Sequence, residues 1–260
     1  MKTDARDYTA LSREQVRELV GRDSIICLPL GSTEQHGPHL PIETDSVLAG
    51  GFTDRLVAAY GEQLDLWRLP TVPFGLSREH AGSPGTISLT VATYCATLHG
   101  IVAGLVESSA SRNLALVNGH GGNRGVLEAL VYELQSTYGV SVAVLHPTAL
   151  SSVKSGSAWP EVHGGKSETS VMMELAPHLV DVSLLPGALP EGAQPDVRAK
   201  ILDRGVTWPW KSGDSRLSTD GIIGDAAAAT PELGREIVSD AVQRAESVLT
   251  QIVAEQHRGS

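Results

Sequence analysis

Ser24-Ile25-Ile26-Cys27-Leu28-Pro29-Leu30 runs without a break into Gly31-Ser32-Thr33-Glu34-Gln35-His36-Gly37-Pro38-His39-Leu40-Pro41-Ile42-Glu43-Thr44-Asp45. The first segment is a short aliphatic run with the pattern of a buried strand. The second packs two imidazoles and three carboxylates into fifteen residues. Any one of these residues could be a solvated loop group or a helix cap. The whole cluster, directly after a strand, reads instead as a working site at the strand's carboxyl end. Imidazole with carboxylate is the ligand mix of Zn, Mn or Fe centres, and the lack of cysteine in the loop argues against a structural thiolate zinc knot. Pro38 and Pro41 stiffen the loop, as fixed ligand positions require.

Working outward, short apolar runs alternate with longer amphipathic ones. Strands are expected at Ser24 to Leu30, Trp67 to Val72, Asn113 to Val117 and Val140 to Leu145. Helical spacing appears in Val47, Leu48, Phe52, Leu56 and Val57, in Leu98, Ile101, Val102, Leu105 and Val106, and in Val126, Leu127, Leu130, Val131 and Leu134. A further helix is expected from Glu232 to about Glu255. This alternation predicts a single α/β domain over residues 1–260, with a mainly parallel central sheet and helices on both faces. In such sheets ligands bind beyond the carboxyl ends of the strands, so the Glu34 loop and the loop after Val117 are expected to face one cavity. The stretch at about 185–224 lacks periodicity and is rich in Pro, Gly and charge. It reads as an ordered excursion in which Trp208 and Trp210 find packing partners.

The composition narrows the function. A formal net charge of -10 disfavours nucleic acid, whose phosphates call for a basic surface. Two cysteines give no disulfide framework, and Cys27 inside a strand reads as a small buried hydrophobe. With no apolar N-terminal core and no run of about 18 apolar residues, the expectation is a cytoplasmic protein with no membrane span.

Two further motifs carry candidate chemistry. Asn118-Gly119-His120-Gly121-Gly122-Asn123 is a glycine-rich turn whose histidine has room to approach a ligand cluster. It is not a dinucleotide fingerprint, because the final glycine position is Arg124. Trp159-Pro160-Glu161-Val162-His163-Gly164-Gly165-Lys166-Ser167-Glu168-Thr169-Ser170 adds a carboxylate and an imidazole near an indole. A phosphate loop ending at Ser167 would need glycine at 160, which is proline. No G-x-S-x-G elbow occurs, which disfavours an α/β serine hydrolase. His80, after Glu79, is a candidate for the pocket wall. His39, His99, His146, His178 and His257 read as surface or packing residues.

At these motifs the chain resembles the creatininase family of metal-dependent amidohydrolases. The resemblance rests on Gly31-Ser-Thr-Glu-Gln-His-Gly-Pro-His, Pro84-Gly-Thr-Ile-Ser, Asn118-Gly-His-Gly-Gly-Asn and His163-Gly-Gly-Lys-Ser-Glu-Thr-Ser, in that order. It implies a single α/β domain, two divalent metal ions per chain (Zn, Mn or Fe) and a homo-oligomer, often a hexamer. Carried over by position, Glu34, Asp45 and His120 would hold one metal and His36, Asp45 and Glu168 the other, with Asp45 bridging. Glu168 replaces a glutamate that creatinine-hydrolysing members carry where this chain has Gly122. His163 would move a proton to the leaving nitrogen, with Glu34 counted beside it among the catalytic groups. Trp159, four residues before His163, would contact substrate together with His80 and Gly121. The implied activity is metal-assisted hydrolysis of a small cyclic amide or related C–N bond, the substrate being a small-molecule amide. The alternative is a relative that removes a C-terminal dipeptide from a mycofactocin-type precursor. A metal-stabilised binding protein without turnover would instead show a closed ligand shell.

Overall fold

The structure is a computed structural model, and it describes residues 6–187, 195–203, 205–218 and 220–258. Its frame is a four-stranded parallel sheet in the order β2-β1-β3-β4, formed by β1 (Ile25–Leu30), β2 (Leu66–Arg68), β3 (Asn113–Asn118) and β4 (Ser141–Leu145). The helices are α1 (Arg13–Leu19), α2 (Thr44–Tyr60), α3 (Val91–Ser108), α4 (Arg124–Tyr138), the short α5 (Pro147–Leu150), α6 (Lys166–Leu175), a single turn α7 (Pro195–Val197) and the long α8 (Pro231–Arg258).

Side-chain alternation along each strand decides which helix covers which face. Ile25 and Cys27 of β1, Ala115 and Val117 of β3, and Leu145 of β4 pack with α2, α6 and α8 around Phe52, Met172 and Leu249. Ile26, Leu28 and Leu30, with Leu114 and Leu116, pack on the other side against Tyr94, Leu98 and Val102 of α3 and Leu127 and Leu134 of α4. Both faces are therefore dry, as an all-parallel sheet requires. Cys27 is fully buried, and burial pushes its thiol up to about 12, so it acts as a hydrophobe.

Three departures from the sequence reading have physical causes. The expected strand from Trp67 to Val72 stops at Arg68 because Pro70 has no N–H to donate. Pairing resumes at one bridge, where Val72 N–H donates to Pro29 O at 2.9 Å. The helix α3 has a mean hydropathy of 1.2 over 18 residues and is, by length and composition, apolar enough to cross a membrane. Its Thr, His and Gly residues hid that length from a search for unbroken apolar runs. Its Tyr94, Leu98, Val102 and Leu105 are spent on the core. The third concerns the excursion, of which residues 188–194, 204 and 219 lie outside the described set. Its described part builds a small core of Val197, Leu217 and Ile223, with Trp210 packed against it. Trp208 does not pack inward; it is 56% exposed.

The register places Leu30 opposite Asn118, so the loops that leave β1 and β3 start side by side at the carboxyl edge of the sheet.

Candidate metal centre

Three segments converge at that edge. The loop from Gly31 to Glu43 folds back on itself, with Glu34 N–H donating to Ile42 O at 3.0 Å, and delivers Glu34 and His36 inward. Asp45 follows in the first turn of α2, where the positive end of the helix dipole favours a carboxylate. The turn after β3 carries His120 across this helix start. It passes so close that a Cβ on Gly119 would stand 2.2 Å from Asp45 O, so only glycine permits the crossing. The third segment brings His163, tied by an antiparallel bridge to Ile223, and Glu168 in the first turn of α6.

Glu34 lies at the centre and is buried. Its Oε1 is 3.9 Å from His36 Nε2, 3.5 Å from His80 Nε2, 3.4 Å from His120 Nδ1 and 3.5 Å from His163 Nδ1. Asp45 divides its two oxygens: Oδ1 is 3.4 Å from His36 Nε2 and Oδ2 is 3.0 Å from His120 Nδ1. Glu168 Oε2 lies 3.8 Å from His36 Nε2 and accepts a hydrogen bond from Gly164 N at 2.6 Å.

Both Glu34 oxygens, His36 Nε2 and Asp45 Oδ2 are buried without a hydrogen-bond partner. An unsatisfied buried polar atom costs on the order of 1–3 kcal/mol, so four that converge on one spot call for a ligand that satisfies them together. Three clusters come within metal-binding reach: Glu34, Asp45 and His120; His36, His163 and Glu168; and Glu34, His80 and His163. Imidazole and carboxylate donors of this kind fit a divalent cation of the Zn, Mn or Fe type.

The electrostatics point the same way. Burial works against a charged His36, yet Asp45, Glu168 and Glu34 outweigh it and hold its pKa up at about 9. Burial also opposes a charged His120, but Asp45 and Glu34 raise its pKa well above the usual range. Asp45 is lowered in return: burial opposes the shift, and His120 and His36 prevail. Glu168 is raised to about 7, by burial first, with His36 pulling the other way. The buried carboxylates thus favour positive charge at His36 and His120, and cations would take over that role. His163 is pushed well below its ordinary value by burial and by His36, and His80 is lowered to about 3 by burial and by His163.

Surrounding groups fix the ring orientations. His120 Nε2 is 2.8 Å from Leu76 O, which makes Nε2 the donor and leaves Nδ1 facing Glu34 and Asp45. His163 Nε2 is 2.6 Å from Gln35 O, so its Nδ1 faces inward by the same logic. The Gln35 side-chain amide donates to His80 Nδ1 at 3.1 Å and to Gly221 O at 2.9 Å. Asn118 and Asn123 bracket the His120 turn: Asn118 donates to His120 O, while Asn123 accepts from Leu76 N and donates to Gly31 O.

The structure therefore gathers Glu34, His36, Asp45, His80, His120, His163 and Glu168 into one cluster, and Gly121 lines the same cavity of ≈ 430 Å³. Trp159 is half-buried and is not among the residues that line the cavity. The indole at the site is Trp210, edge-on to His80 at 5.7 Å. Backbone hydrogen bonds explain the exchange: the Val162-His163 segment is clamped to Ile223, which folds the excursion, and Trp210 with it, over the cavity. Sequence reasoning also passed over Glu79, Gln35 and Asn123. The signal for Asn123 was its symmetric place with Asn118 around His120. Glu79 left no comparable signal. A Cβ on Gly122 would meet Leu76 O at 2.1 Å, His120 Nε2 at 2.5 Å and Glu79 Oε1 at 2.6 Å, so the space beside residue 122 belongs to Glu79.

Comparison with known proteins bears on this geometry. A family model described as creatinine amidohydrolase matches residues 9–249. The mycofactocin precursor peptide peptidase of Mycolicibacterium smegmatis is 31% identical over 242 residues, covering 90% of this chain and 87% of that protein. The creatinine amidohydrolase of Pseudomonas putida is 30% identical over 190 residues, covering 65% of this chain and 71% of its own length. A crystal structure of creatinine amidohydrolase superposes with a TM-score of 0.75 at 25% identity, covering 96% of this chain and 98% of that one. With its fold, its ordered motifs and its convergent imidazoles and carboxylates, the chain belongs to the creatininase family of metal-dependent amidohydrolases, which act on amide or peptide C–N bonds.

Proposed function

We propose that this protein holds two divalent cations, to both of which Asp45 would contribute, and hydrolyses an amide bond of a peptide. The observation that carries the paired centre is the divided Asp45 carboxylate, each of whose oxygens faces a different imidazole. Glu34 and His120 would complete one site, and His36 and Glu168 the other. Such a pair supplies Lewis acidity for an amide carbonyl and for water.

The chain's own groups handle position and protons. Hydrolysis adds the hydroxyl of water to the acyl carbon and a proton to the departing nitrogen. His163 is the group for that transfer, because its Nδ1 faces the cavity and Glu34 while Gln35 O holds the opposite edge of the ring. Gln35 locks His163 and His80 in one stack, its main-chain O accepting from His163 Nε2 and its side-chain amide donating to His80 Nδ1, with the ring centroids 4.0 Å apart. Trp210 and the turn at Gly121 line the cavity.

Two features favour a peptide over a small cyclic amide. Four relatives at 31–34% identity over 84–90% of this chain are named as mycofactocin precursor peptide peptidases. Residue 122, a glutamate in creatinine-hydrolysing members, is here a glycine without room for a side chain. The test is to incubate the metal-loaded protein with a peptide pool and, separately, with creatinine, and to follow new amines and carboxylates by mass spectrometry. Cleaved peptides with creatinine untouched are expected. Turnover of creatinine alone would restore the cyclic-amide reading.

A further inference from the structure

The side-chain amide of Gln35 decides which nitrogen of His80 carries the proton. Two backbone groups fix how that amide points: Gly37 N–H donates to its Oε1 at 2.9 Å, and its Nε2 donates to Gly221 O at 2.9 Å. Turning the amide over would set N–H against N–H at Gly37 and oxygen against oxygen at Gly221, so the orientation is not free. The second hydrogen on Nε2 then meets His80 Nδ1 at 3.1 Å, which makes that ring nitrogen an acceptor. Ser212 Oγ, 2.9 Å from the same nitrogen, carries a hydroxyl that can turn to donate as well. A neutral imidazole has one acceptor and one donor, so His80 bears its hydrogen on Nε2.

The neighbouring ring has the opposite polarity. His163 donates from Nε2 to Gln35 O at 2.6 Å, which leaves a lone pair on Nδ1. The two rings stack with their centroids 4.0 Å apart, and His80 Nε2 and His163 Nδ1 each stand 3.5 Å from Glu34 Oε1. Gln35 thus sets a donor and an acceptor side by side in the wall of the metal cavity.

This polarity separates two roles for His80. Glu34, His80 and His163 lie close enough together to hold an ion, but a ligand nitrogen needs a lone pair, and His80 Nε2 bears a hydrogen. Nor is that N–H spent on Glu34, whose Oε1 has no hydrogen-bond partner. Ser212 and the edge-on ring of Trp210 hold His80 from the side of the excursion, so the donor is buried and fixed in direction. A fixed, buried donor in a cavity where an amide is opened is what negative charge growing on a carbonyl oxygen calls for.

We propose that His80 is a further catalytic residue, whose Nε2–H donates to the carbonyl oxygen of the bound amide. His80 keeps its proton throughout. The oxygen gains negative charge as the hydroxyl of water bonds to the acyl carbon and gives it up as the C–N bond breaks. The proton that water loses passes through His163 to the departing nitrogen. Gln35 and Ser212 are positioning residues that act through His80. The proposal rests on the amide-hydrolysis reading above, and not on the choice of a peptide.

The test uses the zinc-loaded protein with isotope-labelled histidine, and methylphosphonate as a small tetrahedral anion shaped like the water adduct. Nitrogen NMR, with His80 identified by its absence from His80→Phe, should show a hydrogen on Nε2 and none on Nδ1. His80→Phe keeps a stacking ring and removes the donor. Its zinc content should be unchanged, and its affinity for methylphosphonate should fall roughly ten- to hundredfold. His80→Gln, which restores an N–H, should recover part of that loss. For an amide that the protein cleaves, kcat in His80→Phe should drop about 10²–10³-fold with KM little changed. A hydrogen on Nδ1 instead, or zinc lost in His80→Phe, would make His80 a ligand and overturn the proposal. So would methylphosphonate that fails to bind the wild type or binds both proteins equally. The donor signature with no peptide cleaved by the wild type would remove the peptide reading alone. Peptide cleavage undiminished in His80→Phe would remove the donor alone.

Discussion

Asp45 and His163 divide the work of the site between them. Among the described residues, Asp45 is the one carboxylate whose two oxygens face different imidazoles, so its loss should disrupt both halves of the centre. Asp45→Ala is expected to abolish stoichiometric metal binding and turnover together, checked by elemental analysis and an amide hydrolysis assay. Full activity with two metals retained would remove the bridging role. His163 is held from outside by Gln35 and aimed inward, the geometry of a proton carrier. His163→Ala should keep the metal content and lose roughly 10²–10⁴-fold in turnover. Loss of metal in that variant would instead make His163 a ligand, a role its place in two of the donor clusters permits. Gly122 offers a third test. A methyl group there would collide with Leu76 O and His120 Nε2, so Gly122→Ala should displace His120 and weaken metal binding with the rest of the fold intact, as circular dichroism would show. At this scale the sequence was informative where residue type and spacing coincide, as in Glu34, His36, Asp45 and His120. It was silent on Glu79 and Trp210, which reach the site through tertiary folding of segments that have no motif of their own.

The elements explain why these side chains stay in place. The strands β1 and β3 end in register, and each hands its loop to a helix that packs on one face of the sheet. Helix α2 both covers the sheet with Phe52 and Leu56 and presents Asp45 at its start, so core packing and site geometry are linked in one element. Phe52→Ala should cost about 3–5 kcal/mol in chemical unfolding, the usual loss for a buried aromatic. Asn123 plays the matching part for the His120 turn. Its side chain joins Leu76 N, Gly31 O and Asn118 Oδ1, and Asn123→Ala would remove the side-chain partner of Leu76 N and Gly31 O and leave Asn118 Oδ1 only the bond from His120 N at 3.4 Å. A loss of about 1–3 kcal/mol in stability is expected, with weaker metal retention during dialysis against chelator. The alternation of strand and helix was readable because apolar periodicity carries it directly. The early end of β2 followed from Pro70, which the sequence displays but which a count of apolar residues overlooks. The length of α3 was hidden for the opposite reason, since its small and weakly polar residues interrupt an apolar run without breaking a helix.

For the whole molecule, the excursion is what gives the α/β sheet edge a further wall at the site. Its bridge from Ile223 to His163 and its Ser212 contact with His80 bring a motif-free sequence against the residues at the carboxyl edge of the sheet. The balance of buried charge makes the central claim measurable. Three carboxylates, Glu34, Asp45 and Glu168, meet four imidazoles in a cluster that leaves several buried donor atoms unsatisfied. Divalent cations would satisfy them all. The decisive measurement is elemental analysis of the purified protein after loading with Zn, Mn or Fe and removal of excess metal. The account predicts about two ions per chain, falling to none in Asp45→Ala. A wild-type value that stays near zero with every metal would contradict it.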